Sequence, residues 1–547
     1  MLCDRPRGTI VRKFQGLLLL GSSALILSGC GAGSVASPGA SGSVTINNVT
    51  PAPTPTATPT PTGVTPAGGC PTIATDQGTI TGPTGTYRVC RLPNVITTSI
   101  SLPKVAGLLY EMNGRVNVGC DGGFTAPTTA APLTTPLTVG CSGTQTADSN
   151  VTLTIAPGVI LYASTGQTFL AVNRGNRISA IGTPTQPIVF TSRNNVLGIN
   201  DDTSQGDWGG VILMGRGVTT DCNAGAVGVG VANTCERDTE GSSDLARFGG
   251  NDDTYNAGRM SYVQIRYSGF VLGANRELQA LTTESIGTGT ILDHIQSHNS
   301  SDDGAEFFGG AVNMSYYIAT GADDDSLDVD TGAQMNVQYA MLLPRPTRGD
   351  ALFEIDSTGL ETDVRRTRLN VVNFVGVQQQ ISSDNEANDQ AAALFRGNSD
   401  TNLYNGLIVT PNNECIRMFG SGATPATLTA RSVALQCNAT RYLAGGSGNA
   451  YTAAQVQGFF GAGSNNNIDT LVNSLTATGL YLNGATENAL TTTSPTALSS
   501  FFITTPTPYR VGAAWAENNQ WYVGWTCNSS TANFGSTSSA CTALPTT

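Results

Sequence analysis

Three stretches decide the fold because they align as one repeat: "DGAEFFGG" (residues 303–310), "DSLDVDTG" (325–332) and "FEIDSTG" (353–359). The alignment gives two apolar columns, Ala305 with Leu327 and Phe353, and Phe307 with Val329 and Ile355. Between them lie two further columns, Glu306 with Asp328 and Glu354, and Phe308 with Asp330 and Asp356. Because side chains alternate between the two faces of a strand, the apolar columns should stack inside and the acidic columns should face outward.

The spacing of the repeat, 22 to 26 residues, suits one coil of a β-solenoid. "CIRMFG" (415–420) continues the series, with Ile416 and Met418 inward and Arg417 outward. We therefore predict an all-β fold, a right-handed parallel β-helix. The β-helix should span residues 146–445, between a disulfide-bonded N-terminal cap region (70–145) and a C-terminal cap region (446–547).

Composition and charge narrow the class of protein. Only 12% of the residues are charged, 65 are Gly, and the net charge is -12. Low charge with abundant Gly is typical of secreted β-rich proteins. An acidic surface repels phosphates, so nucleic acid is excluded as a partner.

The N-terminus has the pattern of a lipoprotein signal peptide over residues 1–29. A basic region is followed by a short apolar run that is too short to span a bilayer as a helix. The run ends in "LSGC" (27–30), which resembles the lipobox of bacterial lipoproteins and implies lipidation at Cys30. Residues 30–69 then form a Pro/Thr-rich linker. We expect an outer-membrane lipoprotein, on the cell surface or the periplasmic face, held to the membrane by its N-terminal lipid.

Apart from Cys3 and Cys30, ten cysteines remain, an even number that suits an oxidising compartment. Spacing alone does not fix their connectivity, and bridging of nearest neighbours is the simplest pairing. The expected disulfides are Cys70–Cys90, Cys120–Cys141, Cys222–Cys235, Cys415–Cys437 and Cys527–Cys541.

Several motifs occur in an order that resembles a group of largely uncharacterised bacterial surface lipoproteins with a right-handed parallel β-helix domain. They include "FGGNDD" (248–253), "YVQIRYSGF" (262–270), "HNSSDDGAEFFGG" (298–310) and "YVGWT" (522–526). The resemblance covers roughly residues 150–530 and implies a fold and a cellular location, without an activity.

Around the repeat, carboxylates are dense enough to suggest a metal site. Neighbouring coils lie about 4.8 Å apart, so a column of like charges is costly unless it is solvated, protonated or neutralised. Many oxygen ligands suit Ca²⁺ better than a transition metal. The candidate Ca²⁺ ligands are Asp302, Asp303, Asp323, Asp324, Asp325 and Asp328; otherwise we expect no cofactor.

An enzymatic alternative comes from a weaker resemblance to β-helix enzymes of the polygalacturonase and pectate-lyase type. "NSSDDG" and "DDDSLD" resemble the acidic motifs of these hydrolases, which implies catalytic roles for Asp302, Asp324 and Asp325. The later-coil His of that pattern is absent. Lyases instead pair acids with a basic residue, for which Arg345 is a candidate.

Three further features have structural interpretations. His294 and His298 precede the acidic cluster, and we expect them to face outward. Trp515, Trp521 and Trp525 suit a core-sealing cluster better than a sugar-stacking platform. The sequence thus favours a lipid-anchored β-helix with a structural, adhesive or binding role in the cell envelope, its partner an extracellular glycan or a surface protein. The alternative is a polysaccharide lyase or hydrolase acting on acidic glycans.

Overall fold

The structure is a computed structural model. It describes residues 63–240, 246–273, 276–346, 348–357, 365–379, 391–420, 424–445, 450–516 and 520–545. The predicted signal peptide, Cys30 and most of the Pro/Thr-rich linker lie outside the described residues. Residues 61–547 form one compact unit. In the described part of the chain, no helix is long and apolar enough to cross a membrane.

Two long sheets run side by side through the molecule. Sheet 1 has 15 strands. Its main path contains β1 (Thr75–Gly82), β2 (Gly85–Arg91), β5 (Leu108–Met112), β8 (Ile160–Ala163), β11 (Ile188–Ser192), β15 (Gly258–Arg266), β19 (Ile291–His298), β21 (Ala311–Thr320), β23 (Gln334–Leu343), β25 (Thr367–Val377), β27 (Ser399–Thr410) and β29 (Thr427–Cys437). Its side branch contains β4 (Ile100–Leu102), β7 (Thr152–Ile155) and β10 (Arg177–Ile181).

Sheet 2 has 11 strands, all paired in parallel. They are β3 (Val95–Ile96), β6 (Arg115–Val118), β9 (Phe169–Val172), β12 (Val211–Met214), β18 (Leu281–Glu284), β20 (Ala305–Phe308), β22 (Asp328–Asp330), β24 (Phe353–Ile355), β26 (Ala393–Phe395), β28 (Ile416–Phe419) and β30 (Tyr442–Gly445). From β18 onward the chain alternates between the sheets, one strand of each per coil. The architecture is therefore an all-β parallel β-helix, as predicted.

The remaining elements are short. Three two-stranded sheets pair β13 (Arg237–Asp238) with β14 (Arg247–Phe248), β16 (Val271–Gly273) with β17 (Arg276–Glu277), and β31 (Cys527–Asn528) with β32 (Ser539–Ala540). The helices are α1 (Arg193–Leu197), α2 (Ala453–Phe460) and α3 (Ala485–Asn488), with a 3-10 helix at Gly230–Ala232.

The predicted register of the repeat is correct. Glu306 pairs with Asp328, and Asp328 pairs with Glu354 in the next coil. Both apolar columns lie in the core between the sheets, together with Ile416 and Met418. The repeat contains one more coil than predicted. Its strand β26 (Ala393–Phe395) lies between β24 and β28 and carries Leu394 where the repeat has an acid.

The long strands of sheet 1 bend at one column of residues with left-handed backbone conformation. The column is Tyr262, His294, Tyr316, Tyr339, Asn373, Asn405 and Ser432, with φ between 52° and 64°. Bulky side chains rarely adopt this conformation. Here the aromatic members stack on one another, with ring centroids 4.2, 4.3 and 5.1 Å apart along the column. This stacking offsets part of the cost of the bend.

The C-terminal segment, residues 467–545, returns along the outer face of sheet 1. Asn405 donates to the Thr493 carbonyl, Asn373 to that of Arg510 and Gln296 to that of Cys527. As the segment proceeds toward the C-terminus, it therefore contacts first the later coils and then the earlier ones. The segment therefore covers the side of the solenoid, and α2, whose Phe460 is buried against the core, lies against the last coil.

The packing of the C-terminal segment on sheet 1 determines the surroundings of the tryptophans and of His294. His298 is fully buried, and His294 lies in the stacked column, 5.6 Å from the Trp525 ring centroid. Trp515 and Trp525 are fully buried. The histidines thus point away from the core: His294 packs against Trp521 and Trp525 of the C-terminal segment, and His298 packs against the Tyr267 ring. The tryptophans pack on the aromatic column.

At the other end, the boundary of the solenoid differs from the prediction. Residues 70–145, expected to be a cap, supply β2 and β5 to sheet 1 and β3 and β6 to sheet 2. The antiparallel strand β1 then forms the end of sheet 1. The five disulfides join the cysteine pairs expected from sequence proximity.

Candidate metal centre

The carboxylates of the repeat come from the turns that lead into successive strands of sheet 2. Asp303 precedes β20, and its Oδ1 accepts a hydrogen bond of 2.9 Å from the backbone N–H of Asp325. Asp325 precedes β22, and its Oδ1 accepts one of 2.8 Å from the N–H of Ala351. Each carboxylate thus holds the turn of the next coil, which fixes these acids in a ladder.

Three trios of carboxylates have ligand atoms within 4.8 Å of one another. They are Asp302, Asp303 and Asp324; Asp303, Glu306 and Asp328; and Asp324, Asp325 and Asp350. Asp303 and Asp324 each belong to two trios, so the three groups form one continuous cluster. We call these seven residues the carboxylate cluster.

Most of the cluster is buried, although its acids point away from the core. Asp302, Asp303, Glu306, Asp325 and Asp350 are each at most 7% exposed, whereas Asp324 is exposed. Asp328 Oδ1 is buried and, among the described residues, has no hydrogen-bond partner. The cluster thus reaches solvent at Asp324 and extends inward from it.

Burial and mutual repulsion make these groups unfavourable as bare anions. Burial, followed by repulsion from neighbouring carboxylates, raises the pKa well above its ordinary value for Asp302, Asp303, Glu306, Asp325 and Asp328. Two charges 4.8 Å apart repel by about 0.9 kcal/mol in water and about 3.5 kcal/mol at an effective dielectric of 20. Protons or a bound cation would remove this cost.

The stretches 217–240 and 246–250, of which the first contains the Cys222–Cys235 disulfide, cover the outer face of sheet 2 beside the cluster. Arg237 of β13 lies over the Phe308 ring, 5.0 Å from its centroid. Burial alone would lower the pKa of Arg237, but the carboxylates of Asp330 and Asp221 hold it above its ordinary value. One guanidinium therefore offsets part of the negative charge at the inner end of the cluster.

Glu284 lies under the same segment at the end of β18. It is fully buried, and its Oε2 accepts a hydrogen bond of 2.8 Å from the Thr239 hydroxyl. Burial raises the pKa of Glu284 to about 8. Burial and the nearby Asp356 likewise raise the pKa of Asp330, to about 7. These carboxyls are therefore largely neutral in mildly acidic solution.

Two predicted site residues lie elsewhere. Asp323 forms ion pairs with Arg345 at 3.2 Å and Arg348 at 2.9 Å and accepts a hydrogen bond from Gln205. Arg345 also donates to the Thr203 carbonyl. Asp323 therefore lies outside the three carboxylate trios and pairs with arginines, and the guanidinium of Arg345 contacts Asp323 and the Thr203 carbonyl.

Two cluster members, Glu306 and Asp350, were not among the candidate Ca²⁺ ligands. Asp350 occupies the same column as Asp302 and Asp324, because its backbone N–H donates to the Asp324 carbonyl at 3.1 Å. Extending the repeat alignment three residues before Phe353 would have found it. Glu284 could also have been found by alignment, because it pairs with Phe308 and so occupies the column of Phe308 and Asp330 one coil earlier. Arg237 had no such signal, since its contact with the repeat is made by tertiary packing.

The donor set of the cluster fits Ca²⁺. All ligand atoms are carboxylate oxygens, which suit a hard cation, and the orphaned Asp328 Oδ1 is an acceptor in need of a partner. The separations are shorter than the 6.5 to 9.5 Å over which inverting hydrolases place two carboxyls around a water. The geometry thus suits cation binding better than acid–base hydrolysis.

Comparison with known proteins agrees with the fold. A family model described as a pectate-lyase-like β-helix domain matches residues 132–433, more than half of the chain. Comparisons with curated proteins and with solved structures gave no match. The matched region extends from before β7 into β29 and includes the whole carboxylate cluster. The chain therefore belongs to the family of pectate-lyase-like β-helix domains.

Proposed function

We propose that this protein is a rigid β-helix of the bacterial cell envelope with a structural, adhesive or glycan- or partner-binding role, stabilised by Ca²⁺ in the carboxylate cluster. The observation that carries the proposal is the burial of five acids within three overlapping trios. A bound cation would neutralise them and join three consecutive coils. The acids would then serve the integrity of the solenoid rather than turnover.

Calcium binding is tested by calorimetric titration and thermal melting. The wild type should bind Ca²⁺ and melt higher in its presence, since a ligand at a hundredfold excess over Kd stabilises the folded state by about 2.7 kcal/mol. Asp303→Asn should lose most of this response, because Asp303 belongs to two trios. It should also raise the melting temperature of the calcium-free protein, since the amide keeps the acceptor for Asp325 and removes a buried charge.

Asp323→Asn is the matched control. It changes an acid in the same turn that lies outside the trios and pairs with arginines. Its response to Ca²⁺ should equal that of the wild type. Equal loss in both variants, or melting of the wild type that is indifferent to Ca²⁺ from micromolar to millimolar concentrations, would reject the proposal.

The proposed location in the cell envelope rests on the signal-peptide pattern and the lipobox at Cys30. The five disulfides support export to an oxidising compartment. Cys30→Ala should move the protein from the detergent phase to the soluble fraction after phase partitioning. Unchanged partitioning would rule out lipidation at this residue.

A second candidate function is cleavage of acidic polysaccharide, favoured by the family match and by the exposed Asp324 beside Asp302. Polygalacturonate and alginate are the test substrates, with reducing ends and unsaturated products as readouts. We expect no turnover, because Asp302, Asp303 and Asp325 are buried and Arg345 is engaged elsewhere. Turnover lost in Asp324→Asn would make this the function.

A further inference from the structure

The C-terminal segment contains an open cavity, of about 460 Å³, between the turn at residues 477–482 and the stretches 520–523 and 533–537. Its floor is aromatic and consists of Tyr481, Tyr522 and Phe534, each at most 5% exposed. The rim is polar and includes Gln520, Asn533 and Ser536, all exposed. The cavity belongs to none of the features that support calcium binding.

The floor is rigid before any ligand arrives. The three rings pack on one another with centroids 5.0, 5.1 and 5.9 Å apart. The Tyr481 hydroxyl donates to the Asn533 carbonyl at 2.6 Å, and the Cys527–Cys541 disulfide closes the intervening loop. A preformed site loses little conformational entropy on binding.

The chemistry of the lining restricts the ligand. No described residue that lines the cavity carries a charge. An ionised ligand would therefore lose hydration without gaining a counter-charge, which is costly. Amide and hydroxyl groups around an apolar floor match a molecule with many hydroxyls on one side and C–H groups on the other.

We propose that this cavity binds a neutral sugar unit of an envelope or extracellular glycan, of about two pyranose rings. Hydroxyls of the sugar would exchange hydrogen bonds with the rim amides, and its C–H face would lie toward the aromatic floor. The site gives the binding role a location and a ligand class. It stands apart from the carboxylate cluster, so its failure would leave the calcium result unchanged.

The test is a titration of the full-length protein with neutral disaccharides of glucose, galactose, mannose and N-acetylglucosamine, followed by saturation-transfer NMR and calorimetry. Digalacturonate is the charged comparison. At least one neutral disaccharide should bind with a Kd on the order of 1 mM, and digalacturonate about tenfold more weakly or not at all. Binding of none of the neutral disaccharides, or equal binding of digalacturonate, would overturn the proposal.

Two variants locate the site. Ser536→Trp should fill the cavity and weaken binding at least about tenfold, and Gln520→Ala should weaken it by about threefold to tenfold through loss of one rim amide. Ser464→Trp is the control, since it places the same ring at an exposed serine outside the lining. Unchanged melting would show that each variant folds, and wild-type affinity in Ser536→Trp would refute the location.

Discussion

Replacement of Glu284 by Gln should remove the contribution of one buried carboxyl to the pH dependence of stability. Glu284 is fully buried, and only its Oε2 has a hydrogen-bond partner among the described residues, the Thr239 hydroxyl. Gln keeps an acceptor oxygen for Thr239 but cannot ionise. The variant therefore isolates the cost of placing a charge under the covering segment.

The sign of the effect follows from the direction of the pKa shift. Burial raises the pKa of Glu284 from 4.5 to about 8, so the folded protein retains this proton to a higher pH than the unfolded chain. The associated stability is fully present below about pH 4.5 and is lost as the pH rises toward 8. At about 1.4 kcal/mol per pH unit, the total is about 5 kcal/mol, of which about 4 kcal/mol is lost between pH 5 and pH 9.

The assay is urea unfolding of the wild type and Glu284→Gln at pH 5 and pH 9 in the same metal-free buffer. Comparing the two proteins cancels titration of the other acids, and the variant should gain about 4 kcal/mol relative to the wild type at the higher pH. Asp252→Asn makes the same chemical change at an exposed carboxylate and reports any general effect of the amide. If the difference between the proteins changes by less than about 1 kcal/mol, the Glu284 carboxyl is not held neutral by burial.

Two further predictions concern the core and a buried ion pair. Phe353→Ala should lower the free energy of unfolding by about 3–5 kcal/mol in urea titrations, because Phe353 is fully buried between the sheets; a loss below about 1 kcal/mol would contradict the inward assignment of its column. Arg174→Met should cost about 3–5 kcal/mol, because Arg174 is fully buried and its loss leaves the Asp121 carboxylate, 2.6 Å away, without its partner. The exposed Arg348→Met is its control and should cost less than about 1 kcal/mol, and similar losses in both would contradict the account.

The repeat could be predicted because strand geometry imposes a strict alternation. Phe307, Val329 and Ile355 recur with acids between them, so one alignment fixed both the inward face and the register. The coil at β26 was not predicted, because Leu394 replaces the acid that marks the column. The disulfides could be predicted for a related reason, since each joins cysteines of one coil or of adjacent segments.

The segments that cover the outer faces of the solenoid could not be predicted from the repeat. The acids point away from the core, as alternation requires, but what packs on them comes from earlier in the chain: Arg237 lies 71 residues before Phe308, and Thr239 lies 45 residues before Glu284. In the same way, the face that carries His298 is covered by the end of the chain. Strand periodicity reports which side of a strand a residue occupies, and it carries no information on what packs there from a distant part of the chain.

The central claim is that the carboxylate cluster holds Ca²⁺, and an anomalous difference map from crystals grown with Ca²⁺ tests it most directly. The account predicts a peak within about 2.3–2.6 Å of oxygens from Asp302, Asp303 and Asp324, or of a neighbouring trio, and its loss in crystals of Asp303→Asn. A map with no anomalous peak among the trios at millimolar Ca²⁺, in crystals that show the acids ordered, would contradict it.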